Sequence, residues 1–423
     1  MATRTESVQE ICARAKRAAR HLAALDSATK DAALGAIADA VEARADEILE
    51  ANAADSEDGR AAELDAAFLD KLALNEERVA QMAQGVRDII ALPDPVGEEL
   101  EERTLYNGLE LRKVRSPLGV VAIIYEARPN VTVDAAALAI KSGNAVVLRG
   151  SSAAERSNAV LARIVSEAGE EAGLPEGSVS LIASRDRADL TALVQQEGLV
   201  DLVIPRGGEA LKKVIKENAR VPVIYAAAGN CHVYIDASAE PEMAKRVAYN
   251  AKVQRPGVCN ASETLLVHAD AAPAVLPDLV EQLSGAGVEL RTDARTRALT
   301  GPAGDGLVDA TEEDWATEYL GLKMAVKVVD SLEEAIEHVN RYGTGHSEAI
   351  VTKDDEAANA FTNGVDAACV YVNASTRFTD GGEFGMGAEM GNSTQKLHAR
   401  GPIGLRELTT FKYVIHGDGQ VRE

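Results

Sequence analysis

The sequence predicts an α/β protein built from two α/β domains, the first of Rossmann type, and three observations predict it. Between residues 119 and 225 the short apolar runs GVVAII, AVVL, SVSLIA, DLVI and VPVIY alternate with helical segments, the pattern of a largely parallel sheet covered on both faces. A second series, ETLLVH, MAVKVV (324–329), EAIVT (348–352) and CVYVNA (369–374), alternates with helices such as SLEEAIEHVNRYG. The third observation is EERTLYNGLELRKVRS, residues 101–116, where Asn107-Gly108 between alternating residues signals a hairpin.

Taken in order, the elements begin with an Ala-rich helical part reaching to about residue 98. There Leu34, Ile37, Val41, Ala45 and Ile48 recur at steps of three and four as one apolar stripe, with Asp26 and Ser27 available as a cap. The hairpin projects away from the first sheet. The C-terminal TTFKYVIHGDGQVR holds one more strand-like run, and the two together are suited to pairing across a subunit interface. A chain of 423 residues exceeds one ordinary core and fits two or three domains.

Composition excludes several classes of function. A formal net charge of −23 opposes nonspecific nucleic-acid binding and attraction to an anionic membrane. No uncharged apolar run is long enough to span a bilayer, and MATRTESVQEICARAKRAAR lacks the unbroken apolar core of a signal peptide. Cys12, Cys231, Cys259 and Cys369 have neither metal-ligand nor disulfide-framework spacing. A soluble, cytoplasmic protein in a reducing compartment is expected.

Cys259 lies in VQRPGVCNASETLLVH, residues 253–268, after a Pro-Gly break and before a β-branched and aliphatic run. The thiol therefore precedes a strand on a connection, where functional groups tend to sit; the alternative is an ordinary buried cysteine. No G-x-G-x-x-G follows a strand. Arg206-Gly207-Gly208, between DLVIP and EALKKVIKEN, offers a pyrophosphate seat at a helix N-terminus, or only a tight connection. YEARPNVTVDAAALAIKSGNAVVLRGSS, residues 125–152, gathers Arg128, Asn130, Lys141, Asn144 and Arg149, with Asn130 placed to cap a helix. GGEFGMGAEMGNSTQKLHARGP, residues 381–402, is Gly-rich and then basic: either a mobile loop, or one whose Lys396, His398 and Arg400 close over an anion.

Residues 117–152, 200–208, 253–268 and the stretch VYVNASTRFTDGGEFGMGAEMGNSTQKLHARGPIGLRELTTFKYVIHGDGQVR closely resemble the aldehyde dehydrogenase superfamily, specifically its branch acting in proline biosynthesis. The resemblance runs over nearly the whole chain. It implies NADPH-dependent reduction of L-glutamate 5-phosphate to L-glutamate 5-semialdehyde with release of phosphate. It carries the cysteine nucleophile onto Cys259 and the asparagine that helps hold the developing oxyanion onto Asn130. The glutamate at the nicotinamide ribose falls on Glu318, the glycine at the pyrophosphate on Gly207 with Gly208 beside it, and the lysine position near the adenosine ribose on Arg149. The implied architecture is an aldehyde dehydrogenase-like fold: an NADP(H)-binding domain from 1–98 and 116–250, a catalytic domain from 251–402, and an oligomerisation arm from 99–115 and 403–423. A homo-oligomer is implied, and docking of a glutamate kinase is left open.

Two departures from the wider superfamily sharpen this expectation. Hydrolytic members carry a glutamate that activates water against the thioester, and its position here is Ala226; without that base the thioester survives for reduction. Where NAD-using relatives place a glutamate against the ribose hydroxyls, the chain has Ser152, so Arg149 and Ser152 favour the 2′-phosphate of NADPH. Candidates for the substrate's carboxylate and phosphate are Arg128, Lys141, Arg255, Lys396, His398 and Arg400. Two other readings stand beside the reductase: a hydrolytic semialdehyde dehydrogenase, disfavoured by Ala226, and a non-catalytic member of the fold. No metal is expected.

The acidity is spread over helix faces such as Glu42, Asp46, Glu47 and Glu50, and a surplus of this size fits a high-salt cytoplasm in which self-repulsion is screened. Folding and activity are then expected to improve from low to molar salt; measured invariance rules the halophilic reading out.

Overall fold

The computed structural model describes residues 6–64, 66–226, 228–300 and 307–422; the first five residues of the N-terminal stretch read above as non-secretory lie outside it. The described chain forms two units, residues 1–225, 385–391 and 403–423, and residues 226–384 and 392–402.

In the first unit, five helices precede any strand: Val8–Leu22, Ser27–Ala43, Ala45–Ala61, Ala66–Leu72 and Glu76–Ile90. Ser7 and Glu10 close a capping box on the first, and Asp26 accepts the Thr29 N–H at 2.8 Å on the second. The expected single stripe is split: Leu34, Ile37 and Val41 are buried on one helix and Ile48 on the next, because Arg44 between them leaves helical geometry. The helices cover a parallel sheet ordered Val179–Leu181, Ala145–Arg149, Val120–Tyr125, Leu202–Arg206. Ile123 lies between Leu148 and Ile204 in register, all fully buried. VPVIY does not become a strand: only Val223 bridges Val203, because Pro222 has no N–H to extend the ladder.

The same unit carries an antiparallel sheet ordered Glu99–Thr104, Glu110–Pro117, Thr409–His416. Gly108 makes the turn at a φ of +82°, donating its N–H to Leu105 at 2.9 Å. The C-terminal strand pairs from Thr409 opposite Pro117 to His416 opposite Glu110. The hairpin and the C-terminal strand thus form one sheet within the chain.

The second unit is built on seven parallel strands, ordered Leu307–Asp309, Glu289–Thr292, Lys323–Val329, Ser262–His268, Cys231–Ile235, Ser347–Val351, Cys369–Val372. Alternate residues face opposite sides. Val233, Ile235, Leu265 and Val267 pack with helices Pro241–Val253 and Ala272–Gly285, while Tyr234, Leu266 and Ile350 pack with helices Leu332–Tyr342 and Asp355–Gly364. Cys231–Ile235 pairs with Ser262–His268 and Ser347–Val351, which moves the division between units to residue 225, not the expected 250. CHVYI escaped the sequence reading because buried His232 and Tyr234 break its apolar run.

Lys141 was expected among the substrate-binding cations, and its position contradicts this. Its side chain is 2% exposed, and the ammonium meets Asp31 at 2.6 Å and the Ile90 carbonyl at 2.9 Å. Lys30, equally buried, bridges Asp94 at 2.5 Å and the Lys141 carbonyl at 3.1 Å. Two ammonium groups thus tie the early helices to the end of helix Asn130–Lys141. Lys141→Ala is expected to lower unfolding free energy by roughly 3 kcal/mol, read as a shift in urea midpoint, because it strips a partner from a largely desolvated pair. Substrate KM should stay unchanged in the folded fraction.

Candidate active site

Of the four cysteines only Cys259 is part-exposed; the other three are buried. Burial pushes the Cys12 thiol up to about 12 and the Cys231 thiol well above its ordinary value, so both stay protonated and inert. Cys259 sits between helix Pro241–Val253 and strand Ser262–His268, hence at the amino edge of the seven-stranded sheet.

Contacts on every side fix this loop. Lys252 and Glu263, both fully buried, pair at 2.5 Å across its base, and the other Glu263 oxygen accepts the Leu320 N–H at 3.2 Å. Burial raises the Glu263 carboxyl while Lys252 pulls it down, and burial lowers the Lys252 ammonium. Asn260 donates to the carbonyls of Arg377 at 3.3 Å and Thr379 at 2.9 Å, and its own carbonyl accepts from the Thr376 hydroxyl at 2.7 Å. The Cys231 thiol donates to the Cys259 carbonyl at 3.2 Å.

Gly229 makes the closest approach. A Cβ there would lie 1.4 Å from the Cys259 carbonyl oxygen and 2.8 Å from its Cα, so no other residue fits without backbone movement. Its N–H is held by Glu318 at 2.6 Å. Glu318, expected at the nicotinamide ribose, therefore has one carboxylate oxygen committed to positioning the segment that backs the nucleophile. No carboxylate occurs in Ala226–Asn230. His346, 3.9 Å from the Cys231 sulfur, is depressed to about 4 by burial and stays neutral; its Nδ1 meets Ser347 at 2.8 Å.

In the other unit, Asn130 does not cap its helix: Pro129 holds that place and Asn130 is the first helical residue. Its Nδ2 donates to Asp134 at 2.8 Å, which orients the amide and leaves the second Nδ2 hydrogen for another acceptor. Burial pushes Asp134 up to about 6, against the pull of Asn130 and Arg206.

The carboxyl ends of strands Ala145–Arg149 and Val179–Leu181 hold a shallow hollow lined by Gly150, Ser152, Glu155, Leu181 and Arg185, among others. Open α/β sheets take nucleotides at such carboxyl ends where strand order reverses; here the order reverses one strand away, between Val120–Tyr125 and Leu202–Arg206. Ser152 is among the residues lining the hollow. Arg149 is not among its lining residues; it donates to the Asp186 carbonyl at 3.0 Å, and its buried Nε has no partner. The cation at the hollow is Arg185, paired with Glu155 at 2.6 Å, a residue the sequence reading passed over. Gly207-Gly208 leads into helix Glu209–Asn218 as expected, and the Gly208 N–H is engaged by Glu126 at 3.0 Å. The Glu126 carboxylate thus occupies this helix end, and a pyrophosphate seated there would have to displace it.

The remaining cations divide. Arg128 and Arg255 are exposed. Lys396 and Arg400 both bind Asp366, Arg400 at 2.8 Å, so their charge is largely spent on a neighbour. His398 lies between them in sequence. Nor is the Gly-rich segment irregular throughout: Asn392–Ser393 pairs antiparallel with Gly401–Pro402.

The profile of the aldehyde dehydrogenase family matches residues 1–303 and 307–414. A gamma-glutamyl phosphate reductase from Moorella thermoacetica is 56% identical over 410 residues, 97% of each chain. Another from Syntrophomonas wolfei subsp. wolfei is 53% identical over 417 residues, 99% of each chain. The crystal structure of gamma-glutamyl phosphate reductase from Thermotoga maritima is similar with a TM-score of 0.96 at 46% identity, covering 99% of this chain and 100% of that one.

The packing at Gly229 yields a direct expectation. Gly229→Ala should lower kcat on the order of 100-fold by displacing the cysteine backbone, while thermal unfolding shows the fold retained; full activity would mean that the approach does not position the thiol.

Proposed function

Because the chain belongs to the aldehyde dehydrogenase family and is an oxidoreductase of that family, we propose that it reduces L-glutamate 5-phosphate to L-glutamate 5-semialdehyde with release of phosphate, as a step of proline biosynthesis. The observation that carries this reading is the part-exposed Cys259, pinned on all sides, with no carboxylate in the segment packed behind it. An acyl phosphate has a good leaving group and needs a soft nucleophile more than a strong base; a thiol meets that need.

The Cys259 sulfur attacks the acyl carbon, phosphate departs, and a thioester forms on the protein. The Cys259 N–H donates to the developing oxyanion, a contribution whose loss costs about a hundred- to thousandfold in rate. Asn130 is the second donor in this reading, its amide oriented by Asp134. NADPH, when bound, supplies the hydride that takes the thioester to the aldehyde level. Ser152 and Arg185 are the groups suited to its 2′-phosphate, with the end of helix Glu209–Asn218 suited to its pyrophosphate and Glu318 to its nicotinamide ribose. Ala226 leaves water unactivated, so the thioester is reduced instead of hydrolysed.

The reading includes self-association of the arm. Phe411, Tyr413 and Ile415 lie on one face of the C-terminal strand and are each about half exposed. A monomeric mass by light scattering would remove this part.

The test runs the reaction backwards. With semialdehyde, phosphate and NADP⁺, reduced cofactor should accumulate only when phosphate is present; turnover without phosphate marks a hydrolytic dehydrogenase, and none at all marks a non-catalytic protein. Cys259→Ser should abolish turnover while keeping cofactor affinity. Mass spectrometry of protein quenched with the acyl donor should find the adduct at position 259.

A further inference from the structure

We propose that Arg377, together with Arg255, forms the seat that receives the phosphate group of the acyl phosphate at Cys259 and carries it off as the leaving group. This rests on the function proposed above and names a residue that the sequence reading did not consider.

Arg377 stands on a single 3₁₀ turn, Thr376–Phe378, capped by the Ser375 hydroxyl. The turn is stitched to the cysteine loop at two points. Its backbone is held by Asn260, the residue after Cys259, through the Arg377 and Thr379 carbonyls. Its guanidinium Nε donates to the Gln254 side chain at 2.9 Å, the residue before Arg255. Two arginines are thereby brought to one short loop carrying the nucleophile. Among the described residues neither makes an ion pair with a carboxylate; Arg377 binds a neutral amide, so its charge is not cancelled by contact. Burial and then the charge of Arg255 lower the Arg377 guanidinium, while Asp380, the Cys259 sulfur and Glu383 raise it. The guanidinium thus feels both the second arginine and the reacting atom, a repulsive arrangement that an anion between the two would relieve.

Phosphate is the anion that fits. It is bonded to the carbon that sulfur attacks, whereas the substrate's other anionic group, its α-carboxylate, lies at the far end of the chain. As the sulfur–carbon bond forms, the bond from carbon to the phosphate oxygen breaks and its electron pair passes to that oxygen. The thiol proton leaves with the product as hydrogen phosphate, so charge that grows on the leaving group is met by fixed guanidinium donors.

The probe is inorganic phosphate in the reverse reaction. Arg377→Gln should raise the KM for phosphate on the order of 100-fold, the scale of losing one partner of a charge pair, while leaving the KM for semialdehyde unchanged; Arg377→Lys should recover part of the loss. Phosphate should slow alkylation of Cys259 by iodoacetamide in the wild type and not in Arg377→Gln. An unchanged phosphate KM, or a rise confined to semialdehyde, overturns the seat. Should Arg377→Gln fail to fold, the exposed Arg255→Gln decides: a raised phosphate KM supports the seat and an unchanged one refutes it. Absence of phosphate-dependent turnover in the wild type would instead sink the function proposed above.

Discussion

The approach of Gly229 to the carbonyl of Cys259 is the contact on which the site depends. A backbone carbonyl can be met this closely only by a residue with no side chain, and the partner must be held there. Glu318 does so through the Gly229 N–H, and Glu263 fixes the Leu320 N–H two residues from Glu318. Glu263 is itself fixed by Lys252. A buried ion pair, two carboxylate-to-backbone bonds and one tight contact therefore run in series to the nucleophile. Buried ion pairs add little net stability; here the pair spans the two ends of the cysteine loop, and its use lies in geometry.

The two units place their candidate groups at opposite kinds of sheet edge. In the first, Ser152, Gly207 and Asn130 follow the carboxyl ends of parallel strands, the ordinary place for a nucleotide. In the second, Cys259 and Cys231 stand at the amino edge, where helix-to-strand connections run. That edge brings no helix N-terminus to the thiol, so positive charge there must come from side chains. Arg255 and Arg377 supply it.

Much of this was legible in the chain. A strand such as Val120–Tyr125 announces itself because both faces are buried and every position is aliphatic or aromatic. The hairpin is written in Asn107-Gly108, and the nucleophile in a cysteine on a Pro-Gly connection. What escaped was decided by tertiary pairing. Cys231–Ile235 looks amphipathic in isolation, yet its His232 is consumed by buried Glu348 at 2.9 Å. Lys141 looked like a ligand-binding cation because composition cannot tell an ammonium facing a substrate from one facing Asp31. Arg377 and Arg185 were passed over since only the folded chain shows the loop or hollow beside each; for Arg377, its place in the recognised STRFTDGG stretch was the available signal.

The three-stranded arm joins residues 99–117 to residues 409–416, far apart along the polypeptide. During synthesis the hairpin emerges first and waits with an open edge until Thr409–His416 has been made. Throughout that interval its unpaired Glu110–Pro117 strand is a template for any passing extended segment. The exposed charges along Glu99–Thr104 guard the opposite side, so the vulnerable side of the nascent chain is the one that only its own tail completes.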